Sequence, residues 1–297
     1  SSDMKTINSI VVALDLSDMD EPLLRFADFF AGHFAAKEVH FMHVIPEFVL
    51  PDSSVDVVHS IVSPGFHLDE KIEKKMKAEI KATFENRHKA KVKIEVEEGV
   101  PFQTLVEKTD ETGAELLLLG KKKVEESSGI IPRMVARKVK GAVCFVSENS
   151  EPIFKNLLVP VDFSAYSVKA LQAALDLRGN RKGVKITALH IVDYPPTALY
   201  LTRNYGMLAH DWRDRVKEHY DHFLSKHQLS PAPFEPIFLQ NDYFNIAQHI
   251  VEYAANNGVD CIVAGAKGHS ALDDLFLGSV TEKLVTLEDE IPVVVVR

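Results

Sequence analysis

Gly265, Gly268 and Gly278, with Lys267 between the first two and Ser279 and Thr281 after the last, are a set of residues suited to holding an anion. Glycine lets the backbone approach a ligand closely and take positive φ. N–H groups at the start of a helix, aligned with its dipole, favour negative charge. Ser279 and Thr281 would add hydroxyl donors and Lys267 a mobile positive charge. The same residues have a second reading. Ser279-Val280-Thr281-Glu282 is a capping box, in which Ser279 and Glu282 satisfy helix donors without any ligand. Neither G-x-x-x-x-G-K-[ST] nor G-x-G-x-x-G occurs, so the P-loop and the dinucleotide fingerprint are both absent.

These residues need elements to place them. The glycine stretch directly follows the apolar run Cys261-Ile262-Val263-Ala264, which reads as a strand, and Asp162 ends a similar run from Asn156 to Val161. Further runs cover Val184 to Val192, Phe234 to Leu239 and Pro292 to Val296. Between them, Ser167 to Leu177 puts Ala170, Leu171, Ala174 and Leu175 on one helical face, and Ile246 to Ala254 does the same with Ile246, Ile250 and Tyr253. Strands apolar on both faces and separated by helices imply a parallel sheet covered on both sides. In such a sheet a ligand binds beyond the carboxyl ends of the strands, where the winding reverses.

The chain repeats itself. Asn8-Ser9-Ile10-Val11-Val12-Ala13-Leu14-Asp15-Leu16-Ser17 parallels Lys155-Asn156-Leu157-Leu158-Val159-Pro160-Val161-Asp162-Phe163-Ser164, and Met42-His43-Val44-Ile45 parallels Leu189-His190-Ile191-Val192. Gly113 to Gly120 parallels Gly258 to Gly265, and Ala142 to Val146 parallels Pro292 to Val296. A chain of 297 residues is about twice a typical domain of roughly 150. The expectation is two tandem doubly wound α/β domains, 1–148 and 153–297, each with a five-stranded parallel sheet, joined through a linker near Glu148 to Phe154. The unbroken run Val293 to Val296 would be an aggregation hazard as a bare edge. Pairing it with Val143 to Val146 predicts an internal pseudo-dimer, further doubled into a homodimer.

Composition narrows the function classes. A net charge of −9 disfavours a broad grip on nucleic acid or an anionic membrane. No apolar run reaches the roughly 18 to 20 residues of a membrane span, and SSDMKTINSI lacks the pattern of a signal peptide. Ser1-Ser2 is read as an expression remnant. The two cysteines, Cys144 and Cys261, lie inside apolar runs and are expected to be small buried hydrophobes in a cytoplasmic protein.

Gly265-x2-Gly268-x9-Gly278-Ser279, taken with Leu157 to Ser164 and Leu189-His190-Ile191, resembles the ATP-binding pattern of universal stress proteins. The resemblance covers the whole chain as a tandem pair and is tighter in the second half. It implies Rossmann-like domains of strand order 3-2-1-4-5 and ATP, with Mg²⁺, as the ligand. Carried over, Asp162 and Ile191 would contact the adenine and ribose end, with Pro160 and Val161 shaping that wall. Gly265, Gly268, Gly278, Ser279, Val280 and Thr281 would wrap ribose and phosphates, with Lys267 where the family often has His or Arg. The implied protein is a nucleotide-binding regulator with at most slow ATPase activity. The alternatives are an adenylate-handling hydrolase or transferase and a nucleotide-independent scaffold.

The first half departs from the pattern. Lys121-Lys122-Lys123 follows Gly120, and Pro132 and Arg133 stand where the repeat predicts Gly278 and Ser279. Proline has no N–H to offer, so this half is not expected to bind ATP in the family manner. A different anion held by Lys123 and Arg133 is the alternative to a solvated lysine loop. Pro46 to Glu70 is expected to form an irregular lobe. His219 and His222 have metal-sharing spacing, but Trp212, Val216, His219 and Phe223 also form one stripe, which makes His219 a helix-core residue. His43 and His190 recur as a repeated fold position.

Overall fold

A computed structural model describes residues 4–46, 68–121, 139, 141–193, 211–241, 245–267, 278–287 and 290–297. The first half runs through β1 (Ser9–Ala13), α1 (Asp20–His33), β2 (Glu38–Pro46), α2 (Leu68–Thr83), β3 (Lys91–Gly99), α3 (Pro101–Thr112), β4 (Leu116–Gly120) and β5 (Ala142–Val146). The second repeats it with β6 (Asn156–Pro160), α4 (Ala165–Arg178), β7 (Lys185–Val192), α5 (Asp211–Lys226), β8 (Phe234–Gln240), α6 (Ile246–Asn256), β9 (Cys261–Gly265), α7 (Ser279–Thr286) and β10 (Val293–Val296). The apolar runs become strands within a residue or two of their sequence limits.

All ten strands form one sheet in the order β3-β2-β1-β4-β5-β10-β9-β6-β7-β8. Each half therefore has the order 3-2-1-4-5, and every pair within a half is parallel. The halves join where β5 meets β10 antiparallel, with Val293 opposite Phe145, Val294 opposite Cys144 and Val295 opposite Val143. This is the expected internal pseudo-dimer. It removes two apolar edges at once and leaves β3 and β8 outermost, with Lys91, Lys93, Glu95 and Glu97 placing charge along β3.

The continuous apolar runs follow from burial on both faces. Ile10, Val12, Leu116, Cys144, Leu157, Cys261 and Val294 point to the side covered by α1, α2, α4 and α5. Val11, Leu117, Val143, Leu158, Ile262 and Val293 point to the side covered by α3, α6 and α7. The linker is part of the core rather than a spacer. Phe154, 1% exposed, sets its ring 4.7–5.5 Å from those of Phe26, Phe29 and Phe30 on α1. Cys144 and Cys261 are buried free thiols, and burial pushes both thiol pKa values up.

Three expectations need correction. Lys121 is not in a solvated loop: it is 3% exposed, and its Nζ donates to Ile291 O of the second half at 3.0 Å. The N-cap of α7 is Gly278, with no side-chain cap bond, so Ser279 is the first helical residue and the Ser279–Glu282 capping box does not form. His219 is exposed, because the buried stripe of α5 runs through Tyr220, Phe223 and Leu224, one position further along the helix. Residues 47–67 of the expected lobe, Lys122, Lys123, Pro132, Arg133 and Gly268 lie outside the described residues.

Candidate functional site

β6 is flanked by β7 on one side and β9 on the other, so the winding of the second half reverses between β6 and β9. A crevice at the carboxyl ends of these strands is the place for a ligand in a sheet of this kind. Pro160 closes β6, and Val161, 4% exposed, continues its ladder by donating N–H to Leu189 O at 2.8 Å. Phe163 then takes φ 63°, a left-handed turn that reverses the chain into α4.

Asp162 is fixed in this turn. Its Oδ1 accepts from Ser164 N at 3.0 Å and from the Ser167 hydroxyl at 2.7 Å, while its own N–H donates to Ser167 Oγ at 3.0 Å. Ser164 caps α4 by accepting from Ser167 N. The adjacent strand is tied in as well. His190 donates from Nδ1 to Val161 O at 2.6 Å, and its ring stacks on Phe163 at 4.4 Å. Burial pushes the His190 pKa down, which favours the neutral ring. Ile191, 6% exposed, follows His190 on β7 and packs in the core on the other face of the sheet.

The other wall starts at Gly265, the last residue of β9. A Cβ there would lie 2.7 Å from Tyr166 O and 2.8 Å from its Cβ, so the close approach of α4 to β9 already requires glycine. Ala266 donates to Val296 O and Gly278 donates to Ala266 O, each at 2.7 Å. The Thr281 hydroxyl donates to Gly265 O at 2.7 Å. These bonds bring the chain back to its own starting point and fix the N-terminus of α7 beside the end of β9. The first bond inside α7 is Glu282 N to Gly278 O, so the N–H groups of Ser279, Val280 and Thr281 precede the helical ladder. Ser279 is exposed, and Val280 packs on the adjoining core. Lys267, 6% exposed, has its Nζ 5.9 Å from the centre of the Tyr166 ring.

The structure thus assembles Pro160, Val161, Asp162, Ile191, Gly265, Lys267, Gly278, Ser279, Val280 and Thr281 around one end of the second half-sheet. It gives Thr281 a different part from the one expected, since the hydroxyl proton ties helix to strand. Ser167 and Tyr166 were not legible as site residues. The available signal was the Ser164-x2-Ser167 spacing at a strand end, which marks a capped turn whose second hydroxyl can reach back to Asp162.

The corresponding corner of the first half is built from different side chains. Asp15 Oδ1 accepts from Ser17 N at 3.0 Å and also from the Ser17 hydroxyl. Met19 lies against Gly120, 2.8 Å from where a Cβ would be. Phe102 stands at the repeat position of the fully buried Ala247. A cavity of about 40 Å³ remains, lined mainly by apolar groups that include Met19, Met42, Val44, Phe102 and Leu119, with Asp15 at its margin. His43 Nδ1 donates to Leu14 O at 2.9 Å, the counterpart of the His190 bond. Among the described residues, no group of three or more His, Cys, Asp or Glu side chains could hold a metal ion. No described helix is long and apolar enough to cross a membrane.

Comparison with known proteins agrees with this architecture. The family described as "Universal stress protein family" matches residues 6–140 and again 153–297. Universal stress protein YxiE of Bacillus subtilis is 30% identical over 151 residues, covering 49% of this chain and 100% of that protein. A universal stress protein of Methanocaldococcus jannaschii is 24% identical over 163 residues, covering 51% and 87%. Among solved structures, a universal stress protein from Archaeoglobus fulgidus superposes with a TM-score of 0.60 at 16% identity, over 99% of this chain and 97% of that one. A functionally unknown protein from Pseudomonas aeruginosa gives 0.63 at 15% identity, over 100% and 94%. At such identities the structural likeness speaks for the fold alone.

Proposed function

This chain belongs to the universal stress protein family, and from that premise we propose that its second domain, residues 153–297, binds ATP with Mg²⁺ and that occupancy is the signal passed to partners. The observation that carries the reading is the closure of the glycine stretch. Gly278 N to Ala266 O and Thr281 Oγ1 to Gly265 O hold the N-terminus of α7 at the open end of β9. Backbone N–H groups and a positive dipole end at that point suit a chain of phosphates. The exposed Ser279 hydroxyl and the Lys267 ammonium are of the right kind to meet the same charge.

Asp162 fits an adenosine end. Ser164 and Ser167 orient its carboxylate at the end of β6, where it would face the ribose and base donors. Mg²⁺ would be held through the phosphates and would supply charge neutralisation there. The protein groups bind and orient, and turnover is at most slow. The first domain, residues 1–148, does not share this ligand, because Met19 and Phe102 occupy its crevice and leave about 40 Å³. The protein works in the cytoplasm, and a second copy would dock elsewhere than on β5 and β10, which already pair with each other.

Nucleotide released from the purified protein by denaturation tests the reading. Adenine nucleotide is expected from the native chain and is lost in a Gly268→Val, Gly278→Val variant. At an ATP concentration of about 100 Kd, binding should raise stability by about 2.7 kcal/mol. An unchanged melting temperature with Mg-ATP, and no co-purified nucleotide, would refute it.

A further inference from the structure

The turns after β1 and β6 share a backbone but not an anchor. Leu16 and Phe163 both take φ 63°. In the second half the residue that receives the turn's N–H is Ser167, a neutral hydroxyl. In the first half it is Asp20, whose Oδ1 accepts from Asp15 N at 2.8 Å and whose Oδ2 accepts from Leu16 N at 2.9 Å. Asp20 is 2% exposed, beneath α2, which inserts Met76 and Ile80 into the core beside α1.

Helix α2, whose Lys75 reaches Leu16 O of the same turn, also sets the carboxyl of Glu79, one helical turn further on, against that of Asp20. Glu79 Oε2 is buried and has no hydrogen-bond partner. Two ionised carboxylates in contact and out of water repel each other. One proton between them converts the contact into an O–H···O bond and supplies the donor that is otherwise missing. The surrounding charges do not replace it. Asp15 on the turn adds negative charge. Lys75 of α2 is exposed and directs Nζ to Leu16 O at 3.4 Å. Lys71 is exposed one turn earlier, Asp18 is exposed on the turn, and Glu21 of α1 is paired outward with Arg25 at 2.6 Å.

We propose that Asp20 keeps a proton that it donates to Glu79 Oε2, forming a latch that ties α2 to α1 and to the Asp15 turn, and that losing this proton at alkaline pH loosens α2. Burial, the Glu79 contact and the nearby negative charges push Asp20 up from 3.8 to about 8, against the pull of the backbone N–H of Asp15. The folded chain therefore keeps a proton that the unfolded chain gives up at the ordinary carboxylate value. Stability from this group is complete below that value and is lost as pH rises through the folded one. For one proton, the unfolding constant rises about tenfold per pH unit across the window. The second half has a serine at this position and no proton to lose, so the response is confined to the first domain.

The test uses the full chain, its Glu79→Gln variant and its Asp20→Asn variant, from about pH 5 to about pH 9. A glutamine amide donates to Asp20 at every pH, so Glu79→Gln should flatten the pH dependence of melting and exceed the native chain in stability at alkaline pH. Hydrogen exchange, corrected for the intrinsic rate, should show α2 losing about tenfold protection per pH unit between about pH 5 and pH 7 in the native chain and levelling off above about pH 8. It should show no such loss in Glu79→Gln. Infrared spectra at neutral pH should contain the carbonyl stretch of a protonated carboxyl, absent from both variants. Native and Glu79→Gln proteins with the same pH profile, or a neutral-pH spectrum without that band, would overturn the latch. If Asp20→Asn does not fold, Glu79→Gln alone decides, since it leaves both backbone bonds to Asp20 intact.

Discussion

Ser167 and Asp20 stand at the same place in the two halves and give two corners of the same shape different chemistry. Ser167 both accepts from the Asp162 backbone and donates to its carboxylate, so removing the hydroxyl leaves a buried N–H and a loosened carboxylate. Ser167→Ala is expected to cost about 1–3 kcal/mol of stability and about tenfold in ATP affinity. Calorimetric titration checks the second number, and a native-like affinity would remove Asp162 from the proposed site. Gly265→Ala should destabilise by about 1–3 kcal/mol through overpacking, because the obstacle is the backbone oxygen of Tyr166 at 2.7 Å and not a flexible side chain. Denaturant unfolding measures it. At this scale the sequence pointed to the glycines, Asp162 and Lys267, of which all but Gly268 lie at one end of the second half-sheet among the described residues. Ser167 was not legible, since its role depends on a left-handed residue at 163 that periodicity does not report.

Among the elements, α7 depends most on a bond between elements. It is 8 residues long, starts without a side-chain cap, and is pinned to β9 by the Thr281 hydroxyl. Thr281→Val keeps the size of the side chain and removes that donor. The expected result is a loss of about 1–3 kcal/mol with a proportionally larger fall in ATP affinity, read by melting and by titration. An affinity that falls no further than stability predicts would make the bond structural only. The strands were legible because burial on both faces forces continuous apolar runs. The start of α7 was misjudged because Ser-x-x-Glu is a cap signal only if the serine lies outside the helix, and the Gly278 bond to Ala266 moves the boundary one residue earlier. His219 was misplaced in the same way: a stripe one position away, through Tyr220 and Phe223, fits the apolar pattern equally well.

For the whole molecule, the decisive contact is β5 against β10. Val294 is completely buried and sits opposite Cys144, so Val294→Lys puts a charge into the middle of the ten-stranded sheet. The halves are expected to separate or unfold, with stability falling by more than about 4 kcal/mol and the β5 amides losing exchange protection. Preserved protection in that variant would contradict the pairing. Phe154→Ala should cost about 3–5 kcal/mol in a melting experiment, because the linker ring is enclosed by three phenylalanines of α1. The sequence by itself determined the tandem repeat, the class of each sheet and the pairing of the last strands, while the strand order was implied by the family resemblance. The repeat and the class follow from apolar periodicity and from the repetition of short motifs along the chain, and the pairing from the need to cover apolar edges. Only the tertiary structure decided that Lys121 reaches into the other half, that Gly265 yields to Tyr166, that Phe154 is core and that Asp20 meets Glu79. Each of those depends on two residues far apart in sequence arriving within a few ångströms, a distance that no local pattern encodes.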